Sequence, residues 1–273
     1  MPGSYQFNGS EWVDATLALM NFEERVATLD WTLFDAIETQ TTLNDRKSLL
    51  ALQQACVERH GQFAWLEIGS HLGGSLQVLI RDQRCVRIIS IDSRPASQPD
   101  ERGLAWPYPG NSTEAMRGRL GALPGAAIDK LTTIDASTET LDPNVVGAPP
   151  AVCFVDGEHT DAAVLRDARF GRTAVGSDGW LAFHDTGIVY RGLSRFLDEL
   201  REAGVAHTAY FLPDTILVVE LGAQRLIDTP QVLEQILGNA EGYLWTLRDN
   251  DKFRAALARP VPRFLLRRGL IKL

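Results

Sequence analysis

Between residues 61 and 204 the sequence alternates short apolar stretches, rich in β-branched and aromatic residues, with longer stretches of helical periodicity. This alternation is typical of βαβ units, in which parallel strands are apolar on both faces and helices cover the sheet. The predicted strands are residues 63–69, 86–92, 130–136, 151–157 and 180–186. The predicted connecting helices are residues 72–83, 111–122, 159–174 and 189–204. We therefore expect an α/β fold with a doubly wound sheet of five parallel strands.

Two further strands follow, at residues 207–212 and 216–221. The three residues between them are too few for a parallel crossover, so we predict an antiparallel terminal hairpin. Residues 11–60 have helical spacing of apolar positions and few breakers, and the last fifty residues also suggest helix. The predicted organisation is an N-terminal helical segment (1–60), a ligand-binding α/β domain (61–222) and a C-terminal helical tail (223–273).

Composition limits the compartment and the partners. No apolar run reaches the roughly 18–20 residues of a membrane-spanning helix, and the N-terminus lacks the pattern of a secretory signal. Three cysteines, an odd number in apolar contexts, predict buried thiols in a reducing compartment, hence the cytoplasm. The net charge of −8 argues against binding to nucleic acid.

The charge is unevenly distributed, because residues 251–273 carry seven Lys and Arg against one Asp. This basic tail is interspersed with leucines, which permits two interpretations. One is contact with an anionic membrane surface. The other, which we favour because Gly269 and the Pro260–Pro262 pair interrupt a long amphipathic helix, is packing on the protein's own core or on a second copy in a homodimer.

Each of the five predicted parallel strands has a carboxylate at or near its C-terminal end. These residues are Glu67, Asp92, Asp135, Asp156 and Asp185. In open α/β sheets, ligands bind outside the carboxyl ends of the strands. Five acids with few neighbouring bases would repel a polyphosphate and suit a cationic ligand, a ribose diol or a metal ion.

The turn after the first strand is rich in glycine and reads Glu67-Ile-Gly-Ser-His-Leu-Gly-Gly-Ser75. Glycines at such a turn permit close approach of the backbone to a ligand. The spacing differs from the G-x-G-x-x-G of dinucleotide-binding folds, and the chain has no G-K-[ST] phosphate loop. A nicotinamide oxidoreductase is therefore disfavoured.

This turn resembles the first motif of class I S-adenosylmethionine-dependent methyltransferases, which have a Rossmann-like fold. Two later stretches, Val155-Asp-Gly-Glu-His-Thr160 and Ala182-Phe-His-Asp-Thr186, are similar to a subfamily that includes O-methyltransferases of macrolide sugars and other natural products. Residues 60–221 match that pattern in order and spacing. The resemblance implies O-methylation of a hydroxyl on a sugar or a sugar-bearing small molecule.

The resemblance also implies a cofactor site for S-adenosylmethionine. Glu67 and the 69–74 backbone, with Gly69, Ser70 and Gly73, would hold the methionine part. Asp92 would accept hydrogen bonds from the ribose hydroxyls, and Asp135 and Ser137 would lie by the adenine. His71 stands where many methyltransferases have a second glycine, and we interpret it as a structural or surface residue.

Catalysis by such an enzyme requires alignment of the acceptor with the methyl group and removal of the hydroxyl proton. His159, three residues after Asp156, is the predicted general base. Asp156 and Asp185 are predicted ligands of a divalent cation such as Mg²⁺, which would lower the hydroxyl's pKa. His184 stands where metal-using relatives have a third oxygen ligand, and imidazole suits Zn²⁺ or Mn²⁺ better than Mg²⁺. The alternative for His184 is a hydrogen-bonded histidine of the core.

Two alternatives stay open. One is a metal-independent O- or N-methyltransferase in which Asp156 and Asp185 are structural, and the other is a non-catalytic cofactor-binding partner subunit. The stretch 94–110, with Trp106 and Tyr108, is long for a connection and is predicted to form a lid. Asp167 is expected to pair with a base such as Arg172.

Overall fold

The N-terminal segment contains a β-hairpin that sequence periodicity did not predict. The structure is a computed structural model that describes residues 5–8, 11–14 and 20–238, together with residues 251, 252 and 255. Strands β1 (Tyr5–Asn8) and β2 (Glu11–Asp14) pair antiparallel, so the prediction of helix from residue 11 is wrong at this position.

Two helices follow in the same segment, α1 (Phe22–Ala27) and α2 (Leu43–His60), with a short 3₁₀ helix at Trp31–Phe34 between them. Helix α2 begins with a capping box, in which the Thr42 side chain accepts from the Asp45 N–H and the Asp45 carboxylate accepts from the Thr42 N–H. Helix is therefore confirmed for residues 43–60.

The central domain follows the predicted alternation of strands and helices. Its elements are β3 (Phe63–Ile68), β4 (Cys85–Ile91), β5 (Ser97–Pro99), β6 (Ala105–Pro107), α3 (Thr113–Gly121), β7 (Leu131–Ile134), β8 (Val152–Val155), α4 (Asp161–Val175), β9 (Trp180–Phe183), α5 (Tyr190–Glu202), β10 (His207–Phe211), β11 (Leu217–Leu221) and α6 (Pro230–Gly238). Each predicted parallel strand is present within three residues of its expected bounds.

Seven strands form one sheet in the order β10-β11-β9-β8-β3-β4-β7. The pairs among β3, β4, β7, β8 and β9 are parallel, and β11 is antiparallel to both β9 and β10. The predicted doubly wound sheet with a terminal antiparallel hairpin is confirmed. Because β11 inserts between β9 and β10, β10 runs in the same direction as the five parallel strands.

The strand order reverses beside β3, since the chain passes first to β4 and β7 on one side and then to β8 and β9 on the other. Such a switch point opens a crevice at the carboxyl ends of the two central strands. We therefore expect the ligand site above β3 and β8.

The predicted helix at residues 72–83 is wrong, because the structure has a 3₁₀ helix at Ser75–Gln77 flanked by turns. Gly73 has a φ of +83°, outside the helical region. The buried Gln77 amide donates to the carbonyl oxygens of Ile37 and Gly74 and accepts from the N–H groups of Ala36 and Ile37. These hydrogen bonds hold residues 36–37 beside the glycine-rich turn.

The hydrophobic core lies on both faces of the sheet, because successive strand residues point in opposite directions. In β3, Trp65 packs in the cluster that contains α2, whereas Leu66 packs in the cluster that contains α4 and α5. Burial of each large apolar side chain contributes roughly 1.5–3 kcal/mol. The three cysteines are free and buried, as predicted.

Most of the C-terminal tail lies outside the described residues. Helix α6 contacts α2, but the interpretation of the basic tail concerns residues 251–273, of which the structure describes three. Across the described residues, we find no helix whose length and apolar character would suffice to cross a membrane.

Candidate active site

Three predicted ligand residues converge where β8 and β9 end. Asp156 directly follows β8, and His184 and Asp185 are the first two residues after the adjacent parallel strand β9. One ligand atom from each of Asp156, His184 and Asp185 lies within 4.8 Å of the others. His184 Nδ1 is 3.0 Å from Asp156 Oδ1 and 3.4 Å from Asp185 Oδ2. The structure thus brings together the three residues predicted to bind a metal.

This cluster offers donor atoms that suit a divalent cation. His184 is buried, yet its Nδ1 has no hydrogen-bond partner in the described part of the chain, despite the two carboxylates beside it. Two carboxylate oxygens and one imidazole nitrogen facing a common point are a suitable donor set for a divalent ion, and the imidazole favours Zn²⁺ or Mn²⁺ over Mg²⁺.

The proximity of these side chains changes the pKa values of the two carboxylates. Burial alone would raise the pKa of Asp156, but the neighbouring His184 and His159 imidazoles lower it to about 2. Burial likewise opposes ionisation of Asp185, and the two imidazoles hold its pKa well below its usual range. Both carboxylates are therefore ionised at neutral pH.

His159 lies beside this cluster, at the start of the segment that leads into α4. Its Nε2 is 3.1 Å from Asp185 Oδ2 and 3.9 Å from Asp156 Oδ1, and its Nδ1 is 3.9 Å from Asp100 Oδ2. Burial lowers the pKa of His159, but Asp185 and Asp156 outweigh it and raise the pKa above the usual value. The predicted base therefore lies next to the predicted metal ligands.

The glycine-rich turn crosses the end of β8 at very short range. Gly69 has a φ of +94°, and a Cβ at this position would lie 2.2 Å from the Asp156 carbonyl oxygen. The Ser70 hydroxyl is buried and has no partner among the described residues. The His71 N–H donates to Asp92 Oδ2 over 2.9 Å. Only glycine at position 69 permits this path. The bond from His71 connects the turn to Asp92, which directly follows β4.

Two cavities open above the carboxyl ends of the strands. The first has a volume of about 340 Å³, and its lining includes Glu38, Gln40, Ser70, His71, Tyr108, Asn111, Asp156 and His159. The second has a volume of about 240 Å³, and its lining includes Ile91, Ser137, Thr138, Gly157, Arg166 and Asp167. Gly69, Asp92 and Gln98 line both, so the two cavities meet at the switch point of the sheet.

Residues 66–186, which contain this whole site, match the model of a protein family described as "Methyltransferase domain". The match agrees with the predicted identification as a class I methyltransferase. We refer to these matched residues as the methyltransferase domain. A search of curated proteins found no match to the sequence.

Solved structures with similar folds include several methyltransferases. The O-methyltransferase TomG from Streptomyces achromogenes, involved in tomaymycin synthesis and in complex with S-adenosylmethionine, is 14% identical over 75% of this chain and 91% of its own, with a TM-score of 0.47. An O-methyltransferase from Bacillus cereus is 14% identical over 76% and 94%, also with a TM-score of 0.47. CalS11, a calicheamicin methyltransferase, is 13% identical over 73% and 92%, with a TM-score of 0.46. At such low identities and scores, these likenesses do not bear on the substrate of this chain.

Within the methyltransferase domain, the predicted cofactor residues divide into two groups. Gly69, Ser70 and Asp92 line the first cavity, and Ser137 lines the second. Three others lie outside the linings of both cavities: Glu67, Gly73 and Asp135. For these three, direct contact with a ligand stays a prediction.

Local contacts account for the positions of these three residues. The Glu67 carboxylate is buried behind Ser75, whose hydroxyl donates to it over 2.6 Å. Gly73 packs against Leu120 of α3, which a Cβ would approach to 3.0 Å. The Asp135 side chain is 53% exposed and turns toward Arg94 and the Thr113 hydroxyl.

Glu67 makes the stability of the methyltransferase domain depend on pH. Burial, reinforced by Asp156 and opposed by the Ser75 hydrogen bond, raises the pKa of Glu67 to about 8. In the unfolded chain a glutamate ionises near pH 4.3, so between these pKa values the folded state holds a proton that the unfolded state lacks. The free energy of unfolding contributed by this group therefore falls as pH rises through that window.

We expect Glu67→Gln to remove this pH dependence. From about pH 5.5 to about pH 7.5, the wild type should lose on the order of 2 kcal/mol of unfolding free energy relative to the variant, measured by urea denaturation without cofactor. Glu58→Gln, a change at an exposed position of α2, serves as the control. Parallel pH curves for the wild type and Glu67→Gln would contradict the assignment.

Several site residues were missed by sequence reasoning. His71, predicted to be structural or at the surface, lines the first cavity and packs edge-on against Tyr108 at 5.1 Å between ring centroids. The sequence feature that could have indicated this place in the cavity is the position of His71 inside the glycine-rich turn. Asp167 pairs with Arg166 and the Thr138 hydroxyl, so the expected partner Arg172 is wrong. Asp167 also lines the second cavity.

The stretch 94–110 forms a hairpin of β5 and β6 that contacts the site, which agrees with the predicted lid position. Asp100, between the two strands, is buried and accepts hydrogen bonds from the Arg102 guanidinium and from Trp106 Nε1. The Glu101 N–H donates to the His159 carbonyl oxygen over 2.9 Å. Tyr108 lines the first cavity. The hairpin is thus bonded directly to the segment that carries the predicted base.

Proposed function

We propose that the enzyme transfers a methyl group from S-adenosylmethionine to a hydroxyl oxygen of a sugar or a sugar-bearing small molecule. The observation that carries this proposal is the meeting of the two cavities at Gly69 and Asp92, with Asp156 and His159 lining the first cavity. Asp185 lies beside His159. The motifs that resemble sugar and natural-product O-methyltransferases support the choice of acceptor.

The two cavities match the parts of the cofactor. The ribose would lie at Asp92, whose carboxylate can accept from both hydroxyls. The adenine would then occupy the second cavity beside Ser137, and the methionine would extend into the first cavity along Gly69 and Ser70. The buried and unpartnered Ser70 hydroxyl supports this assignment, because buried polar groups in proteins are normally hydrogen-bonded.

His159 would act as the general base on the acceptor. It lines the first cavity, where the methyl group would project, and its imidazole can accept a proton from a hydroxyl held there. The backbone bond from Glu101 and the nearby Asp185 carboxylate fix the position of the ring. The protein's contribution is then alignment of oxygen and methyl together with proton removal.

Asp156, His184 and Asp185 would hold a divalent cation. When bound, such an ion supplies a positive charge that lowers the pKa of the acceptor hydroxyl and helps to orient it. The ionised carboxylates and the unpartnered His184 Nδ1 support this assignment. The rest of the first cavity offers hydrogen-bonding groups at Glu38, Gln40 and Asn111, which suit a hydroxylated acceptor.

Replacement of Asp92 by alanine tests the cofactor assignment. It removes two charge-assisted acceptors for the ribose, each worth about 1.5–3 kcal/mol. The affinity for S-adenosylhomocysteine, measured by calorimetry, should fall at least about tenfold. Asp135→Ala, which removes a strand-end carboxylate outside both cavities, is the matched control and should bind nearly as the wild type does. Unchanged affinity in a folded Asp92→Ala variant would refute the placement of the ribose.

A further inference from the structure

Asp45, at the N-terminus of α2, contacts the candidate metal cluster from a part of the chain distant in sequence. Its side chain is completely buried. Asp45 Oδ2 lies 3.2 Å from His184 Nε2. The opposite nitrogen of the same ring, Nδ1, is the one that faces Asp156 and Asp185. His184 is thus held between Asp45 on one side and the two strand-end carboxylates on the other.

The other contacts of Asp45 determine which ring nitrogen carries a proton. Asp45 Oδ1 accepts from the N–H and the hydroxyl of Thr215, and Oδ2 accepts from the Thr42 N–H. A carboxylate held by donors on both oxygens acts as an acceptor toward His184, so the bond requires a proton on Nε2. Nδ1 is therefore the nitrogen available to a cation, and the ring cannot turn without losing the Asp45 bond.

We propose that Asp45 is a positioning residue of the metal centre, which fixes the orientation and the tautomer of His184 so that Nδ1 binds the ion. This inference rests on the metal-binding part of the proposed function. Metal-bound histidines generally donate their second N–H to a carboxylate or a carbonyl, and loss of that partner costs about 10–100-fold in metal affinity. The N-terminal segment would thus contribute to the metal centre through Asp45 of α2, in addition to lining the first cavity with Glu38 and Gln40.

The variant Asp45→Ala tests this role. Alanine offers no acceptor to His184 in any orientation, so nothing in its place keeps the proton on Nε2 or holds the ring, and a proton on Nδ1 blocks the metal ligand. The matched control is Thr215→Val, which removes one hydroxyl bond to the same carboxylate and leaves the contact with His184 intact.

Titration of the full chain with Co²⁺, followed by visible absorption, measures the effect without turnover. We expect wild type and Thr215→Val to bind Co²⁺ with similar affinity, and Asp45→Ala to bind about 10–100-fold more weakly. Wild-type affinity in Asp45→Ala would overturn the role of Asp45 while leaving the metal site intact. No Co²⁺ binding by the wild type would overturn the metal centre itself, and with it this inference.

A second measurement on the wild type keeps the test independent of how well the variant folds. In ¹⁵N NMR of the imidazoles, Zn²⁺ addition should shift His184 Nδ1 while Nε2 retains its proton. A shift of His184 Nε2 in place of Nδ1 would overturn the proposal.

Discussion

Replacement of His159 by alanine is expected to lower turnover by about 10²–10⁴-fold, the usual cost of losing a general base. His159 lines the first cavity and lies 3.1 Å from Asp185, so the change removes the imidazole that would accept the acceptor's proton. Binding of S-adenosylhomocysteine should stay nearly unchanged, because Asp92 and Ser137 are retained. Initial rates at saturating S-adenosylmethionine, together with calorimetry, separate the two effects.

His207→Ala is a suitable control for this prediction. His207 lies in β10, and its Nδ1 contacts the Val205 carbonyl oxygen, so the loss of an imidazole there should leave turnover within about threefold of the wild type. Near-normal turnover of His159→Ala at neutral pH would remove His159 from the mechanism.

Removal of divalent cations is expected to have a comparably large effect. A cation at Asp156, His184 and Asp185 would stabilise the developing oxyanion by several kcal/mol, so chelation should lower turnover by on the order of 10²-fold or more. Added Mn²⁺ or Mg²⁺ should restore it, and comparison of the two ions tests the preference implied by the imidazole ligand.

Chelation of a variant that lacks one predicted metal-binding residue tests this prediction more strictly. Asp185→Ala alone should reduce turnover strongly, and chelation should then cost little more, because both changes remove the same ion. Additive losses, or full activity of the chelated wild type with no retained metal by elemental analysis, would favour the metal-independent alternative.

Much of the site was predictable because the carboxyl ends of adjacent parallel strands meet at one edge of the sheet. Asp156 and Asp185 follow β8 and β9, so strand assignment alone places their side chains together. His159, three residues after Asp156, falls at the same edge because the chain turns there into α4. Apolar runs bounded by glycine and acids were sufficient to locate these strands.

The elements that were missed depend on tertiary contacts or on atypical backbone conformations. The helical pattern at residues 72–83 is overridden by the positive φ of Gly73 and by the hydrogen bonds of Gln77 with residues 36–37. Asp45 reaches His184 across 139 positions in sequence, through the docking of α2 on the sheet. No local pattern at Asp45 beyond a helix cap indicates that contact.

The hairpin of β5 and β6 shows the same dependence on tertiary contacts. The length of the 94–110 stretch predicted a lid. Its contact with His159, through a bridge from Asp100 and a hydrogen bond from the Glu101 N–H, depends on the tertiary structure. Only the three-dimensional arrangement connects the lid with the base.

Transfer of an isotopically labelled methyl group from S-adenosylmethionine tests the central claim most directly. The full chain is incubated with the labelled cofactor, Mn²⁺ or Mg²⁺, and a panel of sugars and glycosides, and products are identified by mass spectrometry with NMR to locate the methyl group. The account predicts a product in which the label is attached to oxygen as a methyl ether. A label attached to nitrogen, or no labelled product from any hydroxylated acceptor by a protein that binds S-adenosylhomocysteine, would contradict it.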